Sequence, residues 1–117
     1  IVEETSFTLG DCSRANLNVD DNTLCYGENY IQFDLDNIGS IDLEGVTLWI
    51  VGNKNSYQID LPDSDLKQGM QMGKKILYDF NTYGKIVQLQ FIPKIRSDDS
   101  VLPCTKSSLE KDKVGEC

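Results

Sequence analysis

Apolar and polar side chains alternate most clearly between Tyr30 and Gly52, in the run YIQFDLDNIGSIDLEGVTLWIVG. Ile31, Phe33 and Leu35 share one parity and Gln32, Asp34 and Asp36 the other. Successive side chains of a strand point to opposite faces, so this pattern predicts a ribbon with one apolar and one wet side. Asn37-Ile38-Gly39-Ser40 interrupts it with turn chemistry. Alternation resumes with Val46, Leu48 and Ile50 against Thr47, Trp49 and Val51, and stops at Gly52-Asn53. Two half-buried strands joined by a polar connector predict one unit of an antiparallel sheet.

The same reading extends along the chain. Phe7 and Leu9 are in phase within Glu4–Leu9, and Ala15, Leu17 and Val19 alternate within Ser13–Asp20. Gly52 to Ser56 has hairpin-loop chemistry, followed by Tyr57, Ile59 and Leu61 in phase as the next strand. Asp63–Gly73 is irregular, with room for one helical turn around Asp65–Gln68 or none. Ile76, Tyr78 and Phe80 predict a further strand, turned back by Asn81-Thr82-Tyr83-Gly84. Val87, Leu89, Phe91 and Ile95 predict the longest late strand, which Pro93 should end or mark as an edge. Ser97–Ser100 reads as a turn, Val101–Thr105 as a short strand and Leu109–Val114 as a charged tail. Seven or eight evenly spaced strands without an amphipathic helix predict an antiparallel, immunoglobulin-like β-sandwich. Its expected core is Phe33, Leu35, Leu48, Ile50, Ile59, Tyr78, Leu89 and Phe91.

The 117 residues suffice for one domain, residues 1–117, with a real hydrophobic core. A hydrophobic fraction of 39% and a charged fraction of 26% suit a folded chain. The net charge of −8 argues against nucleic acid or anionic membrane as partner, because both reward lysine and arginine stripes. No apolar run reaches the roughly 18–20 residues of a membrane span, so this segment is not expected to insert in a membrane. The sequence opens without a basic, then apolar, then small-residue leader, so an export signal is expected to have been removed or to lie outside it.

There are four cysteines and no histidine. Without Cys-x-x-Cys or a histidine partner a zinc site is poorly supported, and two disulfides in an oxidising, extracellular compartment are expected. Cys12 and Cys25 are 13 positions apart, as are Cys104 and Cys117. The simplest pairing is therefore local, Cys12–Cys25 and Cys104–Cys117, with the two long-range pairings left open.

The candidate chemistry is sparse. Asp34-Leu35-Asp36-Asn37 followed by Gly39 resembles the start of an EF-hand loop, but Ile38 takes the fifth ligand position and Gly45 the twelfth. A looser calcium site from Asp20, Asp21, Asp98 and Asp99 competes with the ordinary use of aspartate in turns. No metal or other cofactor is expected. The absence of histidine removes the usual serine and cysteine nucleophile systems, and no phosphate-binding or nucleophile-elbow motif occurs. No catalytic residue is assigned, and the chain is expected not to be an enzyme. No Asn-x-Ser/Thr acceptor occurs. Trp49, with Thr47 and Val51, falls on the outward parity. Two readings stay open: the sandwich or its tail covers this strip, or it is an aromatic contact patch.

The apolar strand, the Asn-x-Gly turn at Asn37–Gly39, the Gly-Val-x-Leu-x-Ile segment at Gly45–Ile50 and Leu-x-x-Gly at Leu66–Gly69 together resemble CARDB-like immunoglobulin-fold domains. The flanking cysteines and Phe91-Ile92-Pro93 ahead of Cys104 look like the globular β-domains of archaeal exported pilin-like and cell-surface proteins. The resemblance covers roughly Tyr30–Ile95. It implies a non-enzymatic structural module, a subunit of a cell-surface filament or appendage; the alternative is a glycan- or calcium-binding or adhesion module. Pilins of that kind carry a hydrophobic N-terminal helix, which this sequence does not contain. The implied partners are further copies of the chain or cell-surface proteins. For self-association the candidates are Trp49 and the terminal segment with Ile1, Val2, Phe7 and Leu9, which could complete a neighbour's sheet or pair within its own domain.

Overall fold

Residues 11–117, which the computed structural model describes, form ten strands: β1 (Leu17–Val19), β2 (Cys25–Tyr26), β3 (Tyr30–Asn37), β4 (Gly45–Gly52), β5 (Ser56–Asp60), β6 (Gln71–Leu77), β7 (Ile86–Ser97), β8 (Ser100–Pro103), β9 (Leu109–Lys111) and β10 (Gly115–Glu116). One helical turn, α1 (Phe80–Tyr83), joins β6 to β7. The strands make two five-stranded sheets. In the first, β3 pairs antiparallel with β6 on one side and with β1 and β2 on the other, and β10 adds to β2 in parallel. In the second the order is β5-β4-β7-β8, with β9 also beside β7.

The alternation in the sequence becomes the core. Ile31, Phe33 and Leu35 of the first sheet, with Leu48, Ile50, Leu89, Phe91 and Ile95 of the second, are all but inaccessible to water. Phe33 and Phe91 meet edge to face with ring centroids 5.0 Å apart, a geometry worth about 1 kcal/mol beyond the area it buries. Of the expected core only Ile59 is half-buried, because β5 is the edge strand of its sheet.

Several expectations are corrected. β3 and β4 are not neighbours in one sheet but lie in different sheets. Alternation reports which face a strand buries, not which strand pairs with it. The count is ten rather than seven or eight, and the β2–β10 pair is parallel. Of the two readings left open for Asp65–Gln68 the structure shows the one without a helical turn, whereas Phe80 begins α1 instead of continuing β6. Val87 is exposed: Val51 faces Gln88 and Gly52 faces Ile86, so Val87 is the extra residue of a bulge. Pro93 lies inside β7, which has partners on both sides. Its carbonyl accepts from the Cys104 N–H at 2.8 Å, so its missing N–H points to the same side, into the gap between β9 and β8.

The local cysteine pairing is wrong. The disulfides are Cys12–Cys104 and Cys25–Cys117, each spanning 92 positions. β1 and β2 lie one after the other along the same side of β3, so the chain from Cys12 to Cys25 runs along the sheet and does not double back. Cys104 instead returns from β8 to Cys12, where the Ser107 hydroxyl also donates to the Cys12 carbonyl at 2.6 Å. β10 carries Cys117 to Cys25, and the Cys117 N–H donates to the Tyr26 carbonyl at 2.9 Å. Closing loops this long restricts the unfolded chain by about 4–5 kcal/mol for one bridge, against about 3 for a local one.

Asn37, a turn residue by sequence, is a buried clamp at 1% exposure. Its amide nitrogen donates to the carbonyls of Ile41 and Leu66, both at 2.9 Å, and its oxygen accepts from the Gly39 N–H at 3.0 Å. It thus ties the crossover from β3 to β4 against the loop that leads into β6. Asn37→Ala removes the partner of the Ile41 carbonyl and of the Gly39 N–H, while the Leu66 carbonyl keeps the Leu43 N–H at 2.9 Å, and is expected to cost about 2 kcal/mol in denaturant unfolding. Ile38→Ser next door, at an exposed position, should stay within about 0.5 kcal/mol. Cys12 and Cys104 are buried, Cys25 is half-buried and Cys117 is exposed. Limited reduction of the native protein should therefore open Cys25–Cys117 first, read by alkylation and peptide mapping.

Candidate functional site

All five tyrosines and Phe80 gather at one end of the two-sheet fold, where β3 and β7 begin and β4 and β6 end. Four ring contacts form a chain. Tyr26 meets Phe80 at 5.2 Å, Phe80 meets Tyr78 at 4.7 Å, Tyr78 meets Tyr83 at 5.5 Å and Tyr83 stacks on Tyr57 at 4.8 Å. Tyr30 stands beside this chain with the Lys75 ammonium 4.0 Å from its ring centroid.

Local chemistry fixes these rings. Asp79 caps α1, accepting from the Asn81 N–H at 2.9 Å and the Thr82 hydroxyl at 2.7 Å. Gly84 ends the turn at φ 86°, and a Cβ there would strike the Asn53 side chain, which accepts from the Lys85 N–H at 3.0 Å. The buried Tyr78 hydroxyl donates to the Gly84 carbonyl at 2.8 Å, pinning the β6–β7 connection. Gly27 lies against the Tyr30 ring so closely that any side chain would overlap it.

Two recesses open between the rings. One, of about 420 Å³, is lined by Tyr26, Gly27, Glu28, Tyr30, Phe80, Glu116 and Cys117. The other, of about 350 Å³, is lined by Asn29, Tyr57, Leu77, Tyr78, Asp79 and Tyr83, with Leu77 82% exposed at its rim. A larger concavity of about 870 Å³ lies on the far side of β10. Its walls carry charges of both signs, with Asp21 and Lys111 paired at 2.9 Å, and no aromatic side chain. The aromatic end is therefore the candidate site.

The other sequence candidates fare differently. Trp49 is 40% exposed on the outward face, between Gln58 and Gln90. Thr47 beside it is buried and donates to Asp60 at 2.6 Å, so the strip is not continuous. The tail borders this face through β9, with Glu110 opposite Gln90, and does not cover Trp49. Ile1, Val2, Phe7 and Leu9 lie outside the described residues. Among the described residues, no three histidine, cysteine, aspartate or glutamate side chains converge to hold a metal. Asp20 instead caps its own turn through the Asn22 N–H, Asp21 pairs with Lys111, and Asp98-Asp99 turn the β7–β8 hairpin. The sequence reading missed the aromatic end because the six rings are scattered from residue 26 to 83. Their shared signal was position: each stands near the end of an apolar run, Tyr26 and Tyr83 directly before a glycine.

No family model, no curated protein and no solved structure matches this chain.

Three groups are shifted from their ordinary titration range, Asp79 and Tyr78 at the site and Asp60 at the other end of β5. Hydrogen bonds from Thr82 and Asn81 hold the Asp79 carboxyl below the usual carboxylate range. The Thr47 hydroxyl, then the Lys94 ammonium at 3.4 Å, do the same for Asp60. Burial, then the neighbouring Tyr83, raise the Tyr78 phenol. A depressed carboxyl stabilises the fold above its unfolded pKa, and that contribution is lost as pH falls through the folded value. A raised phenol contributes below about pH 10 and loses its contribution as pH rises through the folded value. Thermal unfolding followed against pH should therefore fall off in acid. Asp79→Asn, which keeps a capping oxygen but cannot titrate, should flatten the acid limb, whereas Asp79→Ala should lower stability at neutral pH.

Proposed function

We propose that this chain is a non-enzymatic extracellular structural module of immunoglobulin-like architecture, a subunit of a cell-surface filament or appendage. The strand order supports the architecture: β1, β3 and β6 face β5, β4, β7 and β8, with antiparallel pairing throughout that set. Two disulfides suit an oxidising compartment, and no helix among the described residues is long and apolar enough to cross a membrane.

The observation that carries the structural role is the crossing of the two bridges. A pull applied before Cys12 and after Cys117 meets two covalent routes of equal length. One runs from Cys12 along the chain to Cys25 and across to Cys117; the other crosses to Cys104 and follows the chain to Cys117. Each route contains one 13-residue step, and everything between Cys25 and Cys104 is shielded from tension. A domain so wired can unfold locally yet cannot be drawn out, which suits a load-bearing unit. With handles placed just before Cys12 and just after Cys117, force spectroscopy of the oxidised protein should show an end-to-end length of at most about 50 Å. The reduced protein should lengthen to about 350 Å. Equal extension in both states would remove the mechanical basis of this reading. The aromatic end favours a second role beside it, ligand binding or adhesion.

A further inference from the structure

We propose that the recess between Tyr26, Tyr30 and Phe80 binds a small organic cation of the alkylammonium class, a quaternary ammonium such as choline fitting best. The proposal rests on the reading of the aromatic end as a binding surface and is independent of the load-bearing role. The recess has a volume of about 420 Å³, within the range of small-ligand sites. Aromatic rings and two carboxylates, Glu28 and Glu116, line it, and no lysine or arginine does. The Glu116 carboxylate is held 3.5 Å from the Tyr26 hydroxyl, so negative charge stands at the edge of a ring wall.

Ring faces attract cations through their quadrupole, most strongly where water is excluded. The protein already uses one of these rings in that way, since the Lys75 ammonium sits over Tyr30. An anion would meet two carboxylates in the lining, and the Lys75 ammonium is already engaged over the Tyr30 ring. A hard metal ion needs six or more oxygens, which rings cannot supply. A soft, weakly hydrated cation with methyl groups satisfies both the rings and the carboxylates.

The test is titration of the oxidised protein with choline, followed by calorimetry and by the aromatic resonances. Its controls are 3,3-dimethylbutanol, which has the same shape without charge, and a neutral monosaccharide. Choline should bind saturably, and the neutral isostere at least about fivefold more weakly. Glu116→Gln, at an exposed strand end, should weaken choline about fivefold while leaving unfolding unchanged. Gly27→Ala, whose methyl displaces the Tyr30 ring, should weaken it as well. If Gly27→Ala fails to fold, Glu116→Gln carries the test. Equal binding of choline and its isostere, or insensitivity to Glu116→Gln, overturns the cation assignment. Binding of the sugar alone, abolished by Gly27→Ala, overturns it but keeps the end as a binding surface. Binding of none of the three overturns both.

Discussion

The crossed pairing of Cys12 with Cys104 and Cys25 with Cys117 is the constraint on which most of the architecture depends. β1, β2, β9 and β10 are two or three residues long, too short to hold their places by ladder hydrogen bonds alone. The disulfides supply what the short strands lack. One fastens the approach to β1 onto the segment after β8, and the other fastens β10 onto β2. The long strands β3, β4 and β7 then form a core that these peripheral pieces enclose. The two bridges differ in setting, one within the core cluster and one at the rim of the aromatic recess. Only the second can report on what happens at that end.

How much of this was legible in the sequence follows from what each signal encodes. Period-two alternation encodes a face, so Phe33, Leu35, Leu48, Ile50, Leu89 and Phe91 were read correctly as core. It carries no information about partners, so the placement of β3 and β4 in different sheets was hidden, as was the parallel docking of β10. Cysteine spacing encodes loop size, and two equal local loops looked simplest. The course of β1 and β2 along a single neighbour, which rules that pairing out, exists only in three dimensions. Asn37 was legible as a turn residue but not as a buried one. Its burial depends on carbonyls from positions 41 and 66, and the second of these lies far along the chain.

The aromatic end was illegible for a related reason. Each ring occupies the end of an apolar run, where the reading assigned it to core or turn one strand at a time. Two packed sheets bring alternate strand ends to the same pole, so rings from four separate segments meet there. Asp79, Gly84 and the Tyr78 hydroxyl tie the α1 turn to its neighbours at that pole. A preformed site spends less free energy on ordering when it binds.

The sheet edges bear on how such a module would assemble. Among the described residues β6 is an edge of the first sheet, and an open edge of seven residues invites pairing with another chain. Lys74, however, shares the core-facing parity of Phe33 and escapes sideways, its ammonium donating to the carbonyls of Pro62 and Asp63 at 2.6 and 3.0 Å. A charge pointing inward on an edge strand is tolerable only while its head reaches polar partners at the rim. A strand added alongside β6 would crowd that exit and strand the ammonium. The opposing edge, β5, is short and alternates polar residues outward. Pairing of a further strand alongside β6 is thus disfavoured by the Lys74 side chain.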